Sequence, residues 1–166
     1  MKRTSSDIQI SSRAAQTVLN TFTQVEVDLS LSPLDNEIFV VTGIDLDTSP
    51  PDFIAATDTD VQSYVSTTSQ TGAVGIDNSN VLAANRLNIR AAGSVDSGVG
   101  FTQLGGVAPT GDLGIIGYIA TNNFFVGVDS TACSTLQSVN CRVYGYRARA
   151  DAATYAALVQ SEVLSA

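Results

Sequence analysis

The chain has 166 residues and a mass of 17.3 kDa, enough for one domain with a proper core. Sixteen acidic residues face eight basic ones for a net charge of −8, and histidine and tryptophan are absent, so Ser-His-Asp and Cys-His catalysis are ruled out. A hydrophobic content of 44% with a mean hydropathy of +0.17 argues against disorder, and no apolar run approaches the ~18 residues that span a bilayer.

Residues 1–20 read as an extended polar arm, with Ala14 to Leu19 forming a helical turn or an extended segment. Its start, Met1 to Asp7, has positive charge but no apolar stretch behind it, so no secretory signal is expected. Lys2, Arg3 and Arg13 against Asp7 give the arm +2 and leave −10 to the rest. Ile8 and Ile10 are too few apolar groups to repay the ordering of residues 1–13, so the arm is expected to be fixed only in an assembly.

Residues 21–150 alternate as strands do. Phe22 to Leu31 sets Val25, Val27, Leu29 and Leu31 on one face and Gln24, Glu26, Asp28 and Ser30 on the other. Ser32 to Asn36 is a turn by its chemistry. Glu37 to Leu46 is apolar on both faces, as a strand central in a sandwich or covered by a neighbour must be. The tandem Pro50-Pro51 breaks the pattern within Asp47 to Asp52. Gln62 to Thr68 is a strand and Ser69 to Asn80 a polar loop. Val81 to Ala92 turns Leu87, Ile89 and Ala91 inward and Arg86, Asn88 and Arg90 outward.

Residues 93–112 hold six glycines and read as a long loop, with or without a short strand. Leu113 to Ala120 and Phe124 to Val128 look like a hairpin across Thr121-Asn122-Asn123. Val139 to Ala148 is the last strand. Asp151 then caps a helix from Ala152 to Leu164, within a terminal segment of residues 151–166. Strands separated by polar turns, with no alternating helices, predict an all-β, antiparallel β-sandwich with a short C-terminal helix. Irregular loops of up to ~20 residues favour a jelly roll over an immunoglobulin-like sandwich, whose Cys…Trp…Cys pattern is missing.

The chemistry-bearing residues are sparse. Asp45 with Asp47 and Asp58 with Asp60 are paired acids suited to weak Ca²⁺ sites, though the dense acid-and-glycine spacing of a calcium loop is lacking and solvated turn aspartates are the plainer reading. No cofactor motif is present, and no enzyme activity is expected. Cys133 and Cys141 are expected as free, half-buried thiols of a protein made in the cytosol, with a disulfide across a hairpin as the alternative.

Basic and aromatic residues gather near the C-terminus. Arg142, Tyr144 and Tyr146 share one face of a strand, followed by Arg147. Interleaved Arg and Tyr anchor protein contacts or stack on bases, and in an acidic chain the first use is favoured. A sandwich edge with tyrosine rings over the core is the bland alternative. On the helix, Tyr155, Val159 and Val163 form a stripe beside Ala153, Ala156, Ala157 and Leu164, and docking on a neighbouring copy is favoured over docking on its own sandwich.

Together, the short polar arm, the alternating Ser/Thr/Val strands and the ending CRVYGYRARADAATYAALVQSEVLSA (141–166) resemble single jelly-roll capsid proteins of small tailless icosahedral viruses. The resemblance covers most of the chain as architecture and carries no diagnostic motif. It implies a subunit that assembles with copies of itself, and with other coat proteins, into a virion shell after synthesis in the host cytoplasm. One departure is the sparse basic arm, which implies that other proteins or a membrane neutralise the genome.

The composition agrees with this expectation. Charged residues are only 14%, against 18 serines and 17 threonines, as when neighbouring copies cover much of a surface; a surface solvated through its hydroxyls is the alternative. Strong nucleic-acid binding by the acidic domain body is not expected. The competing function is a carbohydrate- or receptor-binding sandwich of a fibre or spike, with Tyr64, Tyr118, Tyr144 or Tyr146 as stacking platforms.

Overall fold

Among the described residues, alternation of apolar and polar side chains becomes ten strands in two sheets, followed by one helix. The structure is a computed structural model and describes residues 1–93, 95–104 and 114–164. The strands are β1 (Lys2–Arg3), β2 (Ile8–Ala15), β3 (Thr23–Asp28), β4 (Glu37–Thr48), β5 (Thr59–Ser66), β6 (Val81–Arg90), β7 (Val99–Leu104), β8 (Gly117–Ile119), β9 (Asn123–Thr131) and β10 (Ser138–Arg149); the helix is α1 (Ala152–Leu164).

Every strand pairing is antiparallel. The first sheet runs β8-β4-β10, with β1 and β2 both lying along the free side of β10. The second runs β3-β9-β5-β6-β7. The pairs are nested: β5 with β6, β4 with β8, β3 with β9 and β2 with β10. The chain is therefore one long folded hairpin rolled into two layers.

Between the layers lies the main core. Phe39, Val41 and Ile44 of β4 and Val139 and Val143 of β10 meet Val61 and Val65 of β5 and Phe124, Val126 and Val128 of β9. The opposite face of β4 carries Ile38 and Val40, which with Ala148 and Ala150 form a second apolar cluster beneath Tyr155, Leu158 and Val159 of α1. This explains the two-sided apolar pattern of β4: one face is core and the other is roofed by the chain's own helix.

A β-bulge interrupts the β4–β10 ladder. Tyr144 opposes Gly43 while Gly145 opposes Val41, which leaves Thr42 as the extra residue. Gly145 is required there, because a Cβ would run into the Val40 carbonyl and the Phe39 ring. At the turn before β4, a 3₁₀ turn at Pro33–Asp35 closes on Asn36 with φ of 51°. Asn tolerates this left-handed conformation better than most residues.

Three expectations change. The segment read as a polar arm supplies β2, whose eight residues pair with Ser138 to Gly145; Ile8 and Ile10 pack against the main core and Ala14 is part of it. Its inward positions include Ser12 and Ala14, so small residues hid the alternation. Second, the expected hairpin at 113–128 is an arch, for β8 pairs with β4 in the first sheet and β9 with β3 and β5 in the second. Both strands bury one face in the same core, a pattern that cannot distinguish pairing from facing across it. Leu113 itself lies outside the described residues.

Third, α1 docks on its own sandwich through Tyr155, Leu158 and Val159, which cover the outer apolar face of β4. Of the two readings of the glycine-rich stretch, the one with a short strand holds: it contains β7, which adds to the edge of β6. Ser94 and residues 105–112 of that stretch lie outside the described residues. The Asp151 cap is present, its carboxylate accepting the backbone N–H of Thr154 at 2.9 Å.

Candidate functional site

The helix roofs only one end of the outer face of the first sheet. The other end is open and is built by β4, β10 and β2. Their register sets Asp47 beside Asn140 beside Arg13, and in the next row Asp45 beside Arg142 beside Ser11. Cross-strand neighbours share a face, so the two carboxylates of β4 stand on one face with Arg142 of β10 and Arg13 of β2. All six residues are exposed. With Ser12 and Cys141 they line a depression of ≈ 540 Å³.

No ion pair joins the two charge types here among the described residues. Asp47 accepts a hydrogen bond from Asn140 Nδ2 at 3.1 Å, and Asp45 accepts one from the Tyr144 hydroxyl at 3.1 Å. Arg142 Nε donates to Ser11 Oγ at 3.4 Å. Among the described residues neither Arg13 nor Arg142 forms an ion pair, although Arg3, Arg86, Arg90, Arg147 and Arg149 all do. Chemically, the face offers guanidinium donors, carboxylate acceptors and hydroxyls to a partner carrying both charge signs.

The sequence-derived interface residues divide. Arg142, Tyr144 and Tyr146 do lie on one face of β10. Tyr144 is half-buried beside Asp45, whereas Tyr146 belongs to the roofed end and lies beneath the Arg3 guanidinium, 4.3 Å from the ring centre. Arg147 is placed on the other face, where Nη2 donates to the Leu29 carbonyl at 2.8 Å and Nη1 lies 3.3 Å from Glu37 Oε2. It straps the sandwich edge, because the one-residue alternation turns it to the other face. Tyr155 and Val159 are spent on the second apolar cluster, and Val163 is left 60% exposed.

The paired acids are placed differently from a calcium site. Asp60 forms an ion pair with Arg86 at 2.7 Å. Asp58 accepts the backbone N–H groups of Ala91 and Ala92 and pairs with Arg90 at 3.0 Å. The Ala92 N–H, the Arg90 side chain and the Ala91 N–H hold the Asp58 carboxyl below its usual range. Arg86 and Arg90 are thus on the exposed side of β6, as the period of two predicts. Of these four acids, Asp45 and Asp47 have no ion pair among the described residues. No group of three or more His, Cys, Asp or Glu side chains among the described residues is placed to hold a metal ion.

Of the stacking candidates, Tyr64 is fully buried, stacked on Phe22 at 6.1 Å with its hydroxyl donating to Gln24 Oε1. Burial and the Asp129 charge push that hydroxyl's pKa up. Tyr118 packs in the second cluster. Cys133 and Cys141 are free and buried. Burial, with the Asp45 charge, pushes the Cys141 thiol up to about 12, and burial raises Cys133 as well.

Sequence reasoning missed Arg13, Ser11 and Asn140 as members of this face. The strand alternation Ile8-x-Ile10-x-Ser12-x-Ala14 was the signal that places Ser11 and Arg13 outward.

No protein-family model and no curated protein matches the chain. It is similar to a chain in the solved structure of Desmodium yellow mottle tymovirus, with 15% identity over 89% of this chain and 91% of that one and a TM-score of 0.33.

Proposed function

We propose that the chain is a non-catalytic structural subunit that assembles with copies of itself into a viral capsid shell, and that its sandwich is a jelly roll. Nested pairing supports the fold: four pairs rolled together leave β2-β10-β4-β8 in one layer and β3-β9-β5-β6 in the other, an eight-strand roll with β7 and β1 added at its edges. The resemblance of the C-terminal sequence and strand style to single jelly-roll capsid proteins supports the viral setting. The proposed location is the virion, with other coat proteins as further partners.

The observation that carries assembly is uncovered apolar surface on a weakly charged chain. Leu34 is 98% exposed, Leu164 and Val95 are each 75%, and Val99 and Phe101 of the edge strand β7 are also exposed. The outward side of α1 presents Ala153, Ala156, Ala157, Val163 and Leu164, and the helix's single charged residue, Glu162, is buried. Exposed apolar surface of this kind marks contact sites. Sedimentation velocity over a range of protein concentrations and salts tests the reading. Large, discrete species are expected; a 17.3 kDa monomer throughout contradicts it.

A further inference from the structure

The chain's acidic balance makes an unpaired arginine informative. Among the described residues, five of its eight basic residues are held in ion pairs within the subunit, which leaves Lys2, Arg13 and Arg142. Two of these three stand on one open face, one row apart, together with Asp45 and Asp47, whose described partners are the neutral Tyr144 and Asn140.

We propose that this open end of the β2–β10–β4 face is a contact between copies of the chain, in which Arg13 and Arg142 of one copy engage Asp45 and Asp47 of another. The inference rests on the assembly reading above and names the surface that serves it. Charge complementarity selects the occupant. A nucleic acid meets two carboxylates here, and a cationic partner meets two guanidinium groups. A second copy brings two charges of each sign, so the joined faces neutralise one another without net charge. Ser11 and Asn140 supply neutral hydrogen-bonding groups between the charges, and the shallow depression leaves room for side chains from the facing copy. Withdrawn from water between two copies, such pairs select the matching face and reject like-charged ones.

Two full-length variants test this, Arg13→Glu/Arg142→Glu and Asp45→Arg/Asp47→Arg, with Lys2→Glu as a charge control elsewhere. Each double variant is expected to self-associate about tenfold more weakly or worse, as loss of close charge pairs across an interface predicts. An equimolar mixture of the two is expected to regain association, since an all-acidic face then meets an all-basic one. The control is expected to match the parent chain. Circular dichroism checks folding, and if a reversal unfolds the chain, Arg142→Gln and Asp45→Asn give the same comparison through weakened association. If the parent chain never self-associates, the assembly reading and this inference both fail. If it associates and the variants match it, this face is overturned while the assembly reading stands. Weakened variants that do not complement one another also overturn the inference.

Discussion

Glu162, in the last turn of α1, accepts the backbone N–H of Ala120 at 2.9 Å, where the chain leaves β8. Its other carboxylate oxygen accepts the Thr121 N–H at 2.9 Å. This one side chain ties the helix to the sandwich at the end farthest from its covalent attachment. Replacing it by Ala strands two N–H groups, each worth about 1–3 kcal/mol when left without an acceptor. Glu162→Ala is therefore expected to lower stability by about 2–6 kcal/mol in urea unfolding. An unchanged midpoint would show that the helix is not held on its own sandwich.

Stability is expected to respond to pH in two opposite ways. Burial raises the Glu162 carboxyl above its usual range, against the lowering effect of the Ala120 and Thr121 bonds. The folded chain therefore keeps that proton to higher pH than the unfolded chain, and this contribution declines as pH rises through the raised value. At Asp52, burial pushes the carboxyl up but is outweighed by hydrogen bonds from Thr135 and Ser134, and the net effect is a lowered value. Asp58 is also lowered. Their contributions are in full force above the ordinary aspartate range and are lost as pH falls through the lowered native values. Unfolding midpoints of the parent chain, Asp52→Asn and Glu162→Gln across this range check both signs. Asp52→Asn is expected to flatten the acid limb, and Glu162→Gln the limb above the ordinary glutamate range.

Gly145 marks the β4–β10 bulge, where a Cβ meets the Val40 carbonyl and the Phe39 ring. Backbone on one side and a buried ring on the other leave little room to give. Gly145→Ala is expected to cost on the order of 2–3 kcal/mol, at the upper end for overpacking. A thermal midpoint within a degree of the parent would contradict the bulge register.

Much of this architecture was legible because β3, β6 and β10 alternate with large apolar side chains and β4 is apolar on both faces. β2 was not legible as a strand, since Ser12 and Ala14 occupy two of its four inward positions and are too small to mark a buried face. The β8–β9 arch was misread for a different reason: local pattern reports which face is buried but not which strand lies alongside. At the candidate site, Arg142 and Tyr144 were visible as a face, and Asp45 and Asp47 as an acid pair. Their juxtaposition with Arg13 was invisible, because it joins segments separated by more than a hundred residues along the chain. Helix α1 was correctly bounded, but its docking side depended on the second apolar face of β4.

Both thiols are buried, and Cys141 is pushed up to about 12. Only a thiolate attacks a disulfide reagent at a useful rate. A chromogenic disulfide reagent at neutral pH is expected to leave both cysteines of the native chain unmodified over minutes and to titrate two thiols once the chain is unfolded. Rapid native reaction, or fewer than two thiols after unfolding without reductant, would contradict the buried, unbonded placement.

If copies of the chain close into a shell, electron microscopy of the purified protein at high concentration shows it. Hollow particles of uniform diameter, or regular arrays of the same subunit, are expected. A field of isolated 17.3 kDa monomers, or of amorphous aggregates only, under every salt and pH condition tried, would contradict it.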